Sequence, residues 1–264
     1  MGAVDMEIAL VTGAGQRLGQ SMAVALGARG YRVAVHYASS ADGAEETVAA
    51  IEAAGGTAKA FQADLLDDGQ TEALFAGVVD HFGGAVTCLI NNASIFEYDT
   101  IASATRVSWD RHIQSNLRAP FILTQAMAAQ ELRQKVDDAG EPLASALIVN
   151  MIDQRVRKLT PEFMTYTLAK AGLWTLTQTA AQALAPRIRV NAIGPGPTLR
   201  GARQSGEHFR EQRSNTVLRR GANPQDIVSA LNYFLEASAV TGQLVCVDGG
   251  QHLAWETPDV LGVE

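Results

Sequence analysis

Apolar positions along this chain come in two rhythms. Seven short runs, rich in Val, Ile, Leu and Ala, are apolar along most of their length: "EIALVTG" at 7–13, "YRVAVHY" at 31–37, "TAKAFQAD" at 57–64, "VTCLINNAS" at 86–94, "SALIVNMID" at 145–153, "IRVNAIGPG" at 188–196 and "QLVCVDGG" at 243–250. Between them lie alanine-rich stretches with the period of an amphipathic helix, at 17–29, 41–54, 69–82, 106–134 and 162–185. A strand that is apolar throughout is covered on both faces, as in a parallel sheet with helices on either side. The alternation predicts one α/β domain, a doubly wound Rossmann-type parallel sheet of about seven strands. The stretch 194–223 breaks the rhythm, and its length predicts a lid or substrate loop. Ahead of the last long helix, "TPE" predicts Thr160 as the N-cap and Pro161 as the first helical residue.

Composition narrows the class. The 264 residues are 47% hydrophobic and 19% charged, enough to bury a large core, and they contain no internal repeat. The net charge is −7 with no block of Lys and Arg, which argues against nucleic acid or an anionic membrane as partner. No apolar stretch approaches the ~18–20 residues of a membrane span. The first fifteen residues carry two acids and lead into a glycine turn, unlike a signal peptide. Cys88 and Cys246 each sit in an apolar run and read as reduced thiols. A cytoplasmic protein is expected.

Candidate chemistry begins after the first strand. In "TGAGQRLG", Gly13, Gly15 and Gly19 leave room for a pyrophosphate against the backbone and for the next helix to close on the sheet. Arg17 puts a cation in the first turn of that helix, which opposes the macrodipole by about 0.3–1 kcal/mol unless an anion lies beside it. The second strand ends in His36, Tyr37, Ser39 and Ser40, without the acid with which NAD-selective proteins hold the ribose hydroxyls. Arg17 with His36 and Ser39 or Ser40 therefore makes a cradle for a 2′-phosphate, and the expected cofactor is NADPH.

A second constellation lies around "MIDQRVRKLTPEFMTYTLAK" at 151–170. Tyr166 and Lys170, four apart, share one face of a helix. A phenol beside an ammonium is a proton donor, and Lys170 together with the positive charge of an oxidised nicotinamide is expected to lower the Tyr166 pKa from its usual ~10. Asp153 closes the fifth strand in range of the same site. A carbonyl substrate gathers negative charge on oxygen as hydride arrives and needs donors there. An ionised Asp153 would repel that charge. An imine gains a proton on nitrogen and stays neutral or cationic, so Asp153 favours a C=N bond over C=O.

These motifs, in order from about residue 6 to residue 250, resemble the short-chain dehydrogenase/reductase family. The glycine turn fits its T-G-x-x-x-x-x-G, with Arg17 where a third glycine is usual and Leu18 beside it. "INNAS", with Asn92, Ala93 and Ser94, matches its N-N-A-G, and Tyr166 with Lys170 its Y-x-x-x-K. Asn116 matches the Asn that holds a proton-relay water. "PGPT", with Pro195, Gly196 and Thr198, matches the segment covering the nicotinamide, and "VDGG" the closing strand. Asp64, followed by Leu65, matches the acceptor for the adenine amino group; by position alone it is equally a helix N-terminal acid. The resemblance also implies that Lys170 bonds the nicotinamide ribose. The family's Ser is replaced by Asp153. That replacement, Arg17, "HY..S" and "NAS.F" together look like the pteridine reductases, including dihydropteridine and dihydromonapterin reductases. In that subgroup the residue matching Phe96 stacks on the pterin, and those matching Ser94 and Arg17 bond cofactor phosphate and pterin. The expected function is thus NADPH-dependent reduction of a pterin or dihydropterin, with Asp153, Tyr166, Lys170 and Asn116 catalytic. A carbonyl reductase of the same family, acting on 3-oxoacyl thioesters or sugars, is the alternative. Intact Asn116, Tyr166 and Lys170 speak against a non-enzymatic nucleotide sensor. The resemblance further implies a homo-oligomer, commonly a tetramer, and no metal. The lid and the tail "QHLAWETPDVLGVE", with Trp255, are expected to set substrate choice.

Overall fold

The computed structural model describes residues 7–201 and 204–255. Its strands are β1 (Ile8–Val11), β2 (Arg32–Tyr37), β3 (Thr57–Gln62), β4 (Val86–Asn91), β5 (Lys135–Val136), β6 (Pro142–Leu143), β7 (Ala146–Met151), β8 (Ile188–Pro195) and β9 (Leu244–Val247). Its α-helices are α1 (Arg17–Ala28), α2 (Ala41–Ala53), α3 (Asp68–Phe82), α4 (Arg106–Ile113), α5 (Ala119–Ala128), α6 (Met164–Leu184), α7 (Gly206–Ser214) and α8 (Pro224–Glu236). All seven apolar runs become strands of one sheet in the order β3-β2-β1-β4-β7-β8-β9, and every pair is parallel.

Each face of the sheet carries its own core. On one side Met22, Leu26, Ile51, Ile227, Leu231 and Phe234, from α1, α2 and α8, pack on Val11, Val35 and Ile90. On the other, Leu74, Phe75, Val78, Leu123, Met127 and Ala180, from α3, α5 and α6, cover Leu10, Leu89 and Ile148. Strand order reverses between β1 and β4, which opens a crevice at the carboxyl ends of the strands. Register brings the motifs to that edge. Val11 lies beside Val35 and Ile90, Ile90 beside Val149, and Met151 beside Ile193, so each chain leaves the sheet at nearly one level.

Three expectations need correction. The helix expected at 106–134 is two helices joined by a π-helical turn, Gln114–Arg118, and it stops at Ala128. The residues beyond form a small β5–β6 hairpin. Thr160 and Pro161 do not start the last long helix. It begins at Met164 behind Phe163, which adopts the left-handed conformation (φ 55°), and its first amide groups are met by Asp99, far away in sequence. The stretch 194–223 is not irregular throughout: it holds Pro195 at the end of β8 and all of α7, no residue of which is buried. Cys88 is buried and Cys246 half-buried, both as free thiols, pushed up to about 12 and about 11 chiefly by burial. Among the described residues no helix is long and apolar enough to cross a membrane, and no group of acids, His and Cys could hold a metal.

Candidate active site

A cleft of about 670 Å³ lies along the carboxyl edge of the sheet. Every residue expected to touch cofactor or substrate lines it, from Gly13 at the glycine turn through Asp153, Tyr166 and Lys170 to Thr198. Asn116 does not; its neighbour Ser115 does.

The glycine turn is shaped by close approach. Gly13 adopts φ +61°, and a side chain at Gly19 would collide with the Gly13 carbonyl and the Asn92 amide. Asn92 spans the floor, its Nδ2 donating to Thr12 O at 2.9 Å and Gly13 O at 3.1 Å, while Thr12 Oγ1 accepts from the Asn92 and Ala93 amides. Asn91 donates to Asn150 at 2.8 Å, and Asn150 to Thr177 at 2.9 Å. The N-N-A-S segment thus binds the first and fourth strand ends together. Helix α1 has no side-chain cap and no acid in its first turn. Its first amides and the Arg17 guanidinium leave the turn electropositive, which suits a pyrophosphate.

His36 does not belong to the expected phosphate cradle. It is 1% exposed, its Nδ1 accepts from the Gly13 N–H at 3.0 Å, and its Nε2 lies 3.1 Å from the Ala63 carbonyl. Both nitrogens are spent on backbone, so Nε2 carries the proton. Burial, opposed by the Ala63 bond, holds the pKa down at about 4, and the ring is neutral. His36 pins the glycine turn to the second strand. Ser39 and Ser40 remain at the rim, Ser40 without a capping bond to α2. Arg17 reaches the other way: its guanidinium donates to the carbonyls of Arg200 at 3.1 Å and Leu199 at 3.2 Å, the start of the lid. Arg17 also holds φ 57°, where the family pattern has glycine. Asp64 is not the acid of the next helix: Asp67 caps α3, while Asp64 Oδ1 accepts from the Leu66 amide at the cleft rim.

At the other end, the Tyr166 hydroxyl donates to Asp153 Oδ2 at 3.0 Å, and Asp153 Oδ1 accepts from the Arg155 amide at 2.8 Å. Asp153 therefore caps the following turn and faces the site at once. Burial pushes its carboxyl above the usual range, against the Arg155 amide and charge, the Tyr166 bond and the Lys170 charge. Lys170 by itself does not lower Tyr166. The phenol is raised well above its ordinary value, by burial first and then by Asp153, with the Arg155 charge and Ser94 pulling the other way. Lys170 Nζ donates to the Met151 carbonyl at 2.8 Å and sits over the Tyr166 ring, 5.7 Å from the centroid. Burial brings Lys170 down to about 8, with Asp153 opposing.

Asn116 sits on the π-helical turn and is fully buried. Its side chain clamps Ile95, donating to the carbonyl at 2.8 Å and accepting from the amide at 2.9 Å. Its side chain thus fixes the segment that follows β4. Phe96, 46% exposed, meets the Tyr166 ring edge-on at 4.7 Å and stacks on Phe163 at 4.3 Å and 10°. Phe163 was not foreseen, since nothing in its neighbourhood marks a left-handed residue. Trp255 is 60% exposed and does not line the cleft, and residues 256–264 of the tail lie outside the described residues, as do lid residues 202–203.

A family model described as enoyl-(acyl carrier protein) reductase matches residues 13–252. The 3-oxoacyl-[acyl-carrier-protein] reductase FabG of Staphylococcus epidermidis is 33% identical over 250 residues, 93% of this chain and 98% of that one. The 3beta-hydroxysteroid dehydrogenase 1 of Eggerthella lenta is 35% identical over 254 residues, 92% and 93% of the two chains. Among solved structures, FolM alternative dihydrofolate reductase 1 from Brucella suis, in complex with NADP, is 42% identical, with a TM-score of 0.88 over 97% of this chain and 99% of that one. The chain belongs to the short-chain dehydrogenase/reductase family.

Proposed function

We propose that the protein is an NADPH-dependent reductase that transfers hydride to a C=N bond of a pterin or dihydropterin. The observation that carries this reading is the Tyr166–Asp153 bond of 3.0 Å, a carboxylate where the family pattern has a hydroxyl. A bound nicotinamide would supply the hydride. The chain's own groups fit that partner: α1's uncapped first turn would take the pyrophosphate, Ser39 and Ser40 the 2′-phosphate, and Asp64 the adenine edge, with Arg17 joining the serines once it turns from the Leu199 and Arg200 carbonyls. The similar Brucella structure holds NADP, which supports the same choice.

The single Tyr166 hydroxyl hydrogen lies on Asp153 in the free site and would swing from it to a ring nitrogen of a substrate lying against Phe96. Asp153 orients that hydroxyl and accepts from N–H groups of an aminopyrimidinone ring. Burial raises that carboxyl, so it keeps a proton to higher pH than an exposed carboxylate would. Phe96, backed by Phe163, offers an aromatic face to a flat heterocycle. A second reading is supported by the FabG relatives: reduction of a 3-oxoacyl carbonyl, with Asp153 only capping its turn. NADPH oxidation measured with dihydropterins, a 3-oxoacyl thioester and a simple ketone separates the two. The pterin reading requires dihydropterin to be the preferred substrate; rapid ketone reduction with inert dihydropterins overturns it.

A further inference from the structure

Helix α6 carries Tyr166 and Lys170, yet its own sequence supplies no side-chain cap. Asp99 does so from the segment after β4: its carbonyl accepts from the Met164 N–H at 3.3 Å, and its Oδ1 from the Thr165 N–H at 3.1 Å. Asp99 is 2% exposed, and its second oxygen accepts from Thr165 Oγ1. Thr165 Oγ1 in turn lies 2.6 Å from Nδ1 of His112, which is fully buried on α4. The other ring nitrogen, Nε2, accepts from the Glu97 N–H at 3.1 Å.

These bonds admit one arrangement of protons. Nε2 accepts an amide hydrogen and is bare, so Nδ1 of the neutral ring carries the proton and donates it to Thr165 Oγ1. The Thr165 hydroxyl hydrogen then points to Asp99. Glu97 directly follows Phe96, and Thr165 directly precedes Tyr166. A buried relay from three elements therefore ties the aromatic wall to the proton donor.

We propose that Asp99, Thr165 and His112 are positioning residues, holding the Phe96 ring and the Tyr166 hydroxyl at the separation that the substrate needs. The assignment rests on the reading above in seating the substrate between those two side chains. Misplacement by about 1 Å at a reacting group costs on the order of 100-fold. The relay also has a pH sense. A second proton on His112 would set an N–H against the Glu97 N–H and break that bond. Burial holds the ring's pKa below its ordinary value of 6.5; the Asp99 and Glu97 carboxylates and the Ser108 backbone push up, the Arg111 guanidinium pushes down, and the Tyr166 ring stands edge-on at 6.0 Å. The clamp is intact above pH ~6.5 and is released as pH falls through the lowered value.

Thr165→Val keeps the shape and removes the hydroxyl, whereas Thr165→Ser restores it. His112→Asn places an amide where Nδ1 was, keeping the Thr165 bond and losing the bond to Glu97. The expected result is a fall of about 10- to 100-fold in kcat/KM for the organic substrate with Thr165→Val, recovery with Thr165→Ser, and unchanged NADPH affinity by fluorescence titration. His112→Asn should raise the substrate KM more than it lowers kcat, and should erase an acid limb present in the unmodified protein. Constants are taken with dihydropterin or 3-oxoacyl thioester, whichever the unmodified protein turns over. Failure of the pterin reading then shows as the wrong substrate, not as an inert variant. Unchanged kcat/KM in Thr165→Val, or equal losses of NADPH and substrate affinity, overturns the assignment. If that variant does not fold, nitrogen NMR of the unmodified protein decides: an Nε2–H tautomer for His112 at neutral pH overturns the relay.

Discussion

Asp153, Tyr166 and Lys170 form a coupled set in which burial opposes charge. Asp153→Ser keeps a capping oxygen for the Arg155 amide but exchanges the acceptor facing Tyr166 for a donor. Dihydropterin turnover should fall by about 10²–10⁴-fold, while activity on an activated ketone holds or rises because the repulsion of an alkoxide is gone. Parallel losses on both substrates would mean that Asp153 serves only its turn. Lys170 gives a pH signature. Its cation is stabilised by Asp153 but held at about 8 by burial. The kcat/KM for NADPH reports the free enzyme, and it should decline as pH rises through about 8. Asp153→Asn removes the carboxylate that raises Lys170 and should move this limb to lower pH. A limb that stays in place in Asp153→Asn would separate the two groups.

At the level of elements, the first turn of α1 carries a conflict. Arg17 holds φ 57°, a conformation that costs a side chain about 1–2 kcal/mol and glycine little. Strain of this kind persists where the surroundings over-determine it, often at a ligand clamp. Arg17→Gly should therefore raise stability to urea by about 1 kcal/mol while reducing the preference for NADPH over NADH. The unmodified protein should show that preference by at least about tenfold, ~1.4 kcal/mol. Equal use of both cofactors would remove the case for a phosphate cradle. The loop carrying Phe96 and the start of α6 meet through the Phe163 stack. Phe96→Ala should raise the dihydropterin KM with little change in that of NADPH, by about 0.5–1.5 kcal/mol beyond area burial. An unchanged KM would place Phe96 outside the substrate site.

Across the whole molecule, the cleft draws its lining from both halves of the sheet, from the glycine turn after β1 to the segment after β8. A cofactor bound there braces both halves, and its binding free energy adds to stability. At a hundred times its Kd, NADPH should stabilise the fold by about 2.7 kcal/mol, a shift of about 5–10 °C in a protein of this size. NADH at the same concentration should give less; an equal shift would argue against phosphate recognition. What the chain itself declares is whatever depends on local repeat or close approach. Strands covered on both faces read as apolar runs, Gly13 and Gly19 mark backbone that must nearly touch, and Tyr166 and Lys170 follow the helical period. The reading failed wherever a group's partner lies far along the chain. Nothing beside His36 says that its ring nitrogens meet Gly13 and Ala63, and nothing beside Thr160 says that Asp99 will cap α6 instead. Those pairings arise when sheet register and helix packing bring buried donors and acceptors together, where each must find a partner. Residue pattern alone therefore determined the doubly wound sheet and the location of its cleft. Tertiary structure decided which polar groups face the cleft and which are spent holding it in shape, because burial forces that choice only after the chain has folded.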